Sequence, residues 1–170
     1  MSASHPYTYQ TCAARVSPAR RLQWCEDVAR VLAAIHGYGI RHADLSGRNL
    51  LVDKDMNVLL CDFSGSAIDG TRAMINAEAG YRHPDKKESE FPSIRCEIHS
   101  LGSTIYEIVT AHEVYGAIPK EEVNKLIDAG QYPSLINIPL ADIIGKCWSG
   151  KFTSAEEVAD AVALVRRNGI

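Results

Sequence analysis

Apolar residues recur at intervals of three and four between Leu22 and Ile35, which is the spacing of one face of an α-helix. The preceding Ser17-Pro18 is typical of a helix start, because serine caps the N-terminus and proline is accepted at the first helical position. Gly37 follows the last apolar residue, where a left-handed glycine commonly ends a helix. The pattern predicts a helix over residues 18–36.

Two short apolar runs come next, at residues 49–52 and 57–61, on either side of the polar stretch Asp53-Lys54-Asp55-Met56. Runs of this length that flank turn residues predict a β-hairpin. Residues 64–93 contain glycine, serine, proline and charged residues without periodicity. They therefore predict a long irregular segment of the size that functional loops have.

Helical periodicity returns in the C-terminal half of the chain. The first of these segments is apolar on nearly every face and is expected to be a buried central helix. The last one begins with a capping box, in which Ser154 and Glu157 are spaced to bind each other's backbone amides. The predicted helices span residues 97–110, 119–130, 140–148 and 154–165. We expect a mainly α (α+β) fold in one domain covering residues 1–170.

Composition limits the class of protein. A chain of 170 residues with 46% hydrophobic residues is large enough for one domain with a core. Its 18 basic and 21 acidic residues leave a net charge of −3, which gives no general attraction to nucleic acids or acidic membranes. No apolar stretch is long enough to span a bilayer, and no apolar signal segment begins the sequence. We therefore expect neither nucleic-acid nor membrane partners.

The five cysteines are odd in number and include no Cys-x-x-Cys pair, so neither a disulfide framework nor a zinc site is indicated. Most are expected to be small buried residues in a reducing compartment, which predicts a soluble, intracellular and cytoplasmic protein. Three aromatic side chains are expected to pack in the core. They are Phe63, His99 and Trp148.

Polar motifs cluster where the first helix, the hairpin and the irregular segment are expected to meet. The first is His42-Ala43-Asp44-Leu45-Ser46-Gly47-Arg48-Asn49, and the second, directly after the second strand, is Asp62-Phe63-Ser64. The third is Gly80-Tyr81-Arg82-His83-Pro84-Asp85, which is followed by Glu97-Ile98-His99-Ser100-Leu101-Gly102. A single Asp or Asn in a loop is usually a turn former. Four motifs in this order, counting the stretch from Glu97 to Gly102 as the fourth, indicate instead that the chain descends from a family that carries all of them.

The order and spacing of these motifs resemble the C-terminal lobe of eukaryotic protein kinases. The resemblance covers roughly residues 7–165. It implies a catalytic loop at residues 42–49, a metal-binding motif at 62–64 and an activation segment at 62–85. The stretches DFSGSAIDG and LGSTIYEIVT further resemble small kinase-like proteins of filamentous fungi.

The resemblance also implies roles for five residues. Asp44 would accept or orient the proton of the attacking hydroxyl, while Asn49 and Asp62 would bind magnesium and with it the ATP cofactor. Arg48 resembles the arginine of the tyrosine-kinase catalytic loop. His42 corresponds to a residue that anchors this loop, and we expect it to be a buried structural histidine.

Several positions depart from the kinase pattern. Ala43 replaces the arginine that usually pairs with a phosphorylated activation segment, and Ser46 replaces the lysine usual in serine/threonine kinases. Ser64 replaces a glycine, and Glu97 replaces the aspartate of the central helix. The residues before His42 include no glycine-rich loop and no strand lysine, so the N-terminal lobe is expected to be absent and any Mg-ATP weakly bound.

Three functions remain open at this point. The first is a pseudokinase or binding module with weak or no phosphotransfer on its own. The second is an active ATP-dependent kinase whose N-terminal lobe is supplied elsewhere, and the third is a small-molecule enzyme that reuses the cleft around Asp44 and Asp62. The face toward the missing lobe is expected to expose apolar residues near Leu51 and Phe63. That face predicts self-association, a partner protein or a small-molecule ligand.

Overall fold

The computed structural model describes residues 7–8, 15–85, 87 and 91–169. We number its elements in chain order. The helices are α1 Pro18–Gly37, α2 Ile94–Thr110, α3 Lys120–Asp128, α4 Ala141–Trp148 and α5 Ala155–Arg167. The strands are β1 Tyr7–Thr8, β2 Ile40–Arg41, β3 Leu50–Val52, β4 Val58–Leu60 and β5 Ala67–Ile68. The predicted mainly α fold with a small β part is therefore confirmed.

Helix α2 lies at the centre of the core, as its apolar faces predict. Helices α1 and α4 pack against it, and α5 packs along α1 on the outer side. Leu101, Ile105 and Ile108 of α2 are completely buried. Ser93 caps the start of this helix by accepting a hydrogen bond from the Cys96 amide, so it begins three residues before the predicted position.

Helix α1 begins as predicted but ends differently. The Ser17 hydroxyl accepts a hydrogen bond from the Arg20 amide, and Pro18 is the first helical residue. The assignment of Gly37 as the left-handed residue beyond the helix was wrong, because Gly37 is itself helical. The left-handed position is Gly39, at φ 74°, since Tyr38 intervenes with an ordinary negative φ.

The predicted hairpin is present, with Leu50 paired to Leu60 and Val52 to Val58. Asp53 forms its turn by accepting hydrogen bonds from the backbone amides of Asp55 and Asn57. The indole of Trp24 on α1 donates a 2.8 Å hydrogen bond to the Met56 carbonyl. The hairpin is thereby attached to the helical core close to the predicted catalytic loop.

Two short strand pairings were not predicted. Strand β1 pairs antiparallel with β3 and extends the hairpin to a three-stranded sheet. Strand β2, just before His42, pairs antiparallel with β5 inside the irregular segment. These two-residue strands are too short to produce a detectable alternation in the sequence. The second pairing fixes the segment that follows Asp62 against the start of the catalytic loop.

The side chains expected to pack in the core behave differently from one another. His99 and Trp148 are buried, as predicted, and so are Cys25, Cys96 and Cys147. Cys12 lies outside the described residues. The assignment of Phe63 to the core was wrong, because 42% of this residue is exposed. Its ring instead packs against the His42 ring in an edge-to-face arrangement, with 4.8 Å between the ring centroids.

Within the described part of the chain, no helix has the length and hydropathy needed to cross a membrane.

A buried histidine predicts a loss of stability at acidic pH. His99 Nδ1 lies 3.2 Å from the Tyr81 carbonyl and Nε2 lies 2.9 Å from the Tyr132 hydroxyl. Burial lowers the pKa of His99 from 6.5 to about 4. Between these two values the unfolded chain takes up a proton that the folded chain excludes. The free energy of unfolding should therefore fall as pH drops from 6.5 to 4, by about 3 kcal/mol from this group.

Urea unfolding of wild type and His99→Gln at pH 7, 5.5 and 4.5 would measure this contribution. The substitution should reduce the pH dependence, whereas His112→Gln, which changes an exposed histidine, should retain the wild-type slope. Equal slopes for wild type and His99→Gln would contradict the prediction.

Candidate active site

The predicted catalytic loop, residues 42–49, is attached to the central helix by Glu97, whose carboxylate is only 2% exposed. Its Oε1 accepts a 2.7 Å hydrogen bond from the Ala43 amide, and its Oε2 lies 2.7 Å from Nε2 of His36 on α1. Ala43 adopts a left-handed backbone at φ 71°, which is unfavourable for alanine. The hydrogen bond that the Ala43 amide donates to Glu97 helps to hold this conformation at the start of the loop.

A second carboxylate of α2, Glu107, is 3% exposed and holds the middle of the same loop. Its Oε2 accepts hydrogen bonds from the Gly47 amide at 3.0 Å and from the Tyr81 hydroxyl at 2.6 Å. Burial, and after it the Glu107 charge, raises the pKa of Tyr81, so the phenol keeps the proton that it donates. One side chain thus connects the catalytic loop with the end of the activation segment.

His42 is fully buried, as predicted for a structural residue. Its Nδ1 accepts a hydrogen bond from the Asp44 amide, and its Nε2 lies 2.8 Å from the Cys61 carbonyl. This pair of contacts requires the proton to be on Nε2. The histidine therefore joins the backbone of Asp44 to Cys61, the residue before Asp62, and it does not reach solvent as a general base would.

Asn49 positions Asp44. Its amide nitrogen donates to the Asp44 backbone carbonyl at 2.7 Å and to the Asp44 carboxylate at 3.0 Å. Asn49 is 7% exposed, and none of the described residues donates a hydrogen bond to its amide oxygen. Both hydrogen bonds of this amide therefore serve to orient Asp44, and its oxygen remains available as a ligand.

Asp62 lies next to Asn49 in space, because the Cys61 amide donates a 2.9 Å hydrogen bond to the Asn49 carbonyl. Asp62 has a left-handed backbone at φ 60° and an exposed side chain. The Ser64 hydroxyl donates to its Oδ1 at 2.6 Å. This bond, with the Ser64 amide and the charge of Arg48, holds the pKa of Asp62 below its usual value, so the carboxylate is ionised.

Arg48 connects the catalytic loop to the activation segment. Its Nε lies 3.0 Å from a Glu78 carboxylate oxygen, and its Nη2 lies 3.6 Å from the Asp44 carboxylate. Glu78 also lies 3.8 Å from the Lys120 ammonium group at the start of α3. The side chain of Ala43, at the other end of the loop, packs in a small apolar cluster with Ala67 and Ala73.

The structure brings His42, Asp44, Arg48, Asn49 and Asp62 to one site. Sequence reasoning missed two residues that shape it, Glu107 and Glu78. Glu107 had a usable signal, because a carboxylate on a helix that is apolar all round must find hydrogen-bond donors in the core. Glu78 had none, since it is an ordinary charged residue in an irregular segment.

With this geometry established, comparison with known proteins identifies the family. The sequence profile of the protein kinase domain matches residues 7–159. The chain belongs to the protein kinase family.

Similar proteins include kinases of different acceptor classes. The chain is 28% identical over 161 residues to the probable serine/threonine-protein kinase SIS8 of Arabidopsis thaliana, covering 87% of this chain and 15% of that protein. It is 33% identical over 156 residues to serine/threonine-protein kinase AfsK of Streptomyces coelicolor, covering 86% and 19%. The human receptor tyrosine-protein kinase erbB-4 is 26% identical over 142 residues, covering 75% and 10%. The chain thus spans less than a fifth of each of these relatives.

Gly47→Ala is predicted to weaken the attachment of the catalytic loop. A Cβ at this position would lie 2.3–2.4 Å from the Glu107 carboxylate atoms. The carboxylate would have to move away and leave the Gly47 amide without its acceptor. Steric strain and a broken buried hydrogen bond together should lower the free energy of unfolding by about 2–4 kcal/mol.

Gly37→Ala is a matched control, because a Cβ there meets nothing within 4 Å and the residue is helical. This substitution should raise the free energy of unfolding by ~0.5–1 kcal/mol in urea titrations. If Gly47→Ala and Gly37→Ala had equal free energies of unfolding, the contact between Glu107 and the Gly47 amide would not require a glycine at position 47.

Proposed function

We propose that this site supports magnesium-dependent phosphoryl transfer from ATP to a hydroxyl group, with the chain alone having weak or no activity. The observation that carries the proposal is the double hydrogen bond from Asn49 to Asp44, at 2.7 and 3.0 Å. It holds the candidate base in one orientation and leaves the Asn49 amide oxygen for a cation. Phosphoryl transfer depends mainly on such positioning and on charge neutralisation.

Magnesium is the cation that suits this site, because it prefers oxygen ligands and keeps several positions for water and phosphate. Asn49 and the ionised Asp62 would supply two oxygen ligands from the protein. Among the described residues, no three His, Cys, Asp or Glu side chains converge as a metal site. A cation held here would therefore take its remaining ligands from phosphate oxygens and water, as in a nucleotide complex.

Asp44 would act on the acceptor. Its carboxylate is fixed by Asn49 and lies 3.6 Å from the Arg48 guanidinium, so it is positioned to receive the proton of a hydroxyl group. The acceptor hydroxyl would approach Asp44 from the side of the activation segment, where Arg48 and Glu78 are paired.

A nucleotide bound here would lack the contacts that kinases supply from a glycine-rich loop and a strand lysine, which this sequence does not include. Of the residues expected on the open face, Phe63 is exposed and Leu51 is half-buried, while Leu59, which pairs with Leu51, is also exposed. These residues would belong to an apolar face that a second lobe, a partner protein or another copy of the chain would cover. We propose that closure of this face completes the nucleotide site. Mg-ATP binding to the chain alone should then be weak.

Calorimetric titration with Mg-ATP tests the proposal. Wild type should bind weakly but saturably, and binding should disappear when EDTA removes magnesium. Asp62→Asn keeps a residue that tolerates the left-handed backbone but removes the ionised ligand. Loss of one charge-assisted contact, worth ~1.5–3 kcal/mol, should weaken binding by about 10- to 100-fold.

Asp55→Asn is the matched control, because Asp55 lies at the far end of the same hairpin and its carboxylate pairs with Lys54. It should bind Mg-ATP as wild type does. Absence of binding by wild type at millimolar Mg-ATP would reject a nucleotide site in this chain and favour a binding module without catalysis. Equal weakening by both substitutions would reject the assignment of Asp62.

A further inference from the structure

An aromatic groove lies between the end of α2, the helix α3 and the loops on either side of α3. Its volume is about 560 Å³, and the described residues that line it include none of those at the candidate active site. Every lining residue except Val114 is exposed or half-buried, so the groove is open to solvent. Three tyrosines and a proline supply much of its surface: Tyr106, Tyr115, Tyr132 and Pro133. Surfaces rich in half-exposed aromatic rings are typical of sites that bind other proteins.

Two of the three tyrosine side chains are already fixed. The Tyr132 ring stacks on Trp148, with 4.7 Å between the centroids and 13° between the planes, and its hydroxyl lies 2.9 Å from Nε2 of His99. The Tyr115 hydroxyl donates a 2.8 Å hydrogen bond to the Gln131 carbonyl and so joins the loop before α3 to the loop after it. A ligand would therefore meet a preformed surface, which lowers the entropic cost of binding.

The groove also contains polar groups that this structure does not use. No described residue forms a hydrogen bond with the Tyr106 hydroxyl or with the side-chain amide of Gln131. Glu113 forms no ion pair with any described residue, and the described lining contains no lysine or arginine. The groove therefore combines flat aromatic surface with two free hydrogen-bond donors and one free carboxylate.

From these observations we infer that the groove binds a proline-rich segment of another protein in the polyproline II conformation, with an arginine of that segment paired to Glu113. Proline rings present flat apolar faces that pack on tyrosine rings. A polyproline II helix has no internal hydrogen bonds, so its carbonyl groups can accept from Tyr106 and Gln131. The free carboxylate supplies the charge complementarity for a basic residue.

The other common forms of a bound peptide fit this groove less well. An added β-strand needs the free edge of a sheet, and the described lining residues belong to helices and loops. An α-helix uses its own carbonyl groups internally and would leave the donors of Tyr106 and Gln131 without acceptors. A polyproline II segment satisfies both donors and is also stiff before it binds.

Calorimetric titration of the full 170-residue chain with synthetic peptides tests the inference. The probe is the peptide Arg-Pro-Pro-Ala-Pro-Pro, acetylated and amidated so that the arginine carries its only charge. Replacing every proline by alanine removes the preformed conformation and the ring contacts, and should weaken binding at least about tenfold. No saturable binding of the probe at about 1 mM, or equal affinity of the alanine peptide, would overturn the inference.

A thermodynamic cycle measures the pairing with Glu113. Replacing the arginine of the probe by glutamine should weaken binding to wild type about two- to fivefold, as expected for an exposed ion pair. The same replacement should have no effect on the Glu113→Gln protein. Glu121→Gln, which changes an exposed acid of α3 outside the groove, is the matched control and should keep the wild-type preference for arginine. If wild type bound both peptides equally, the inference would be wrong.

Tyrosine variants test whether the peptide occupies this groove. Tyr115→Ala removes part of its wall and should weaken binding at least about tenfold, as truncation of a central aromatic residue does in protein interfaces. Tyr38→Ala is the matched control, because Tyr38 is 79% exposed and lies outside the groove, and it should bind as wild type does. Unchanged binding by a folded Tyr115→Ala protein would overturn the inference.

Melting temperatures establish that each variant is folded. If Tyr115→Ala does not fold, Tyr106→Phe decides in its place, because it removes only a hydroxyl that has no partner among the described residues. Loss of one hydrogen bond to the peptide should weaken binding about two- to tenfold. Wild-type affinity of Tyr106→Phe would then count against the inference.

Discussion

The geometry of the candidate active site depends on two carboxylates buried in the central helix, Glu97 and Glu107. Burying a carboxylate costs several kcal/mol unless hydrogen bonds replace the lost water. In this protein, replacement donors include the Ala43 amide for Glu97 and the Gly47 amide and the Tyr81 hydroxyl for Glu107. The catalytic loop is therefore held in place, because its release would leave both buried carboxylates with fewer hydrogen-bond donors.

The helix also sets the distance between the two attachment points. Glu97 and Glu107 are ten residues apart, which corresponds to about 15 Å along a helix axis. The Ala43 and Gly47 amides donate to these two carboxylates, so both ends of the loop segment between them are attached to α2. Asp44 lies between Ala43 and Gly47, so its backbone is held against the helix. Asp62, by contrast, is exposed and is oriented by its neighbour Ser64, so the two acids differ in how firmly the protein holds them.

The helices of this fold could be predicted from the sequence. Helices such as α1 and α2 bury apolar faces, and their apolar residues therefore recur at helical spacing. Their ends were less predictable, since the left-handed residue after α1 is Gly39 and not Gly37. Phe63 was misplaced because hydrophobicity alone does not indicate a ring that lies against His42 and remains exposed. The motifs predicted which residues form the site, but the partners of Glu107 and Glu78 depend on contacts between distant segments.

The contact between Arg48 and Glu78 has a consequence for how the activation segment is controlled. The Glu78 carboxylate lies between Arg48 and Lys120, so it links the activation segment to the catalytic loop without phosphorylation. The pair is partly exposed and its attraction is therefore screened by dissolved ions. This one link between the segment and the loop consequently weakens as ionic strength rises, whereas the buried hydrogen bond from Tyr81 to Glu107 is screened much less.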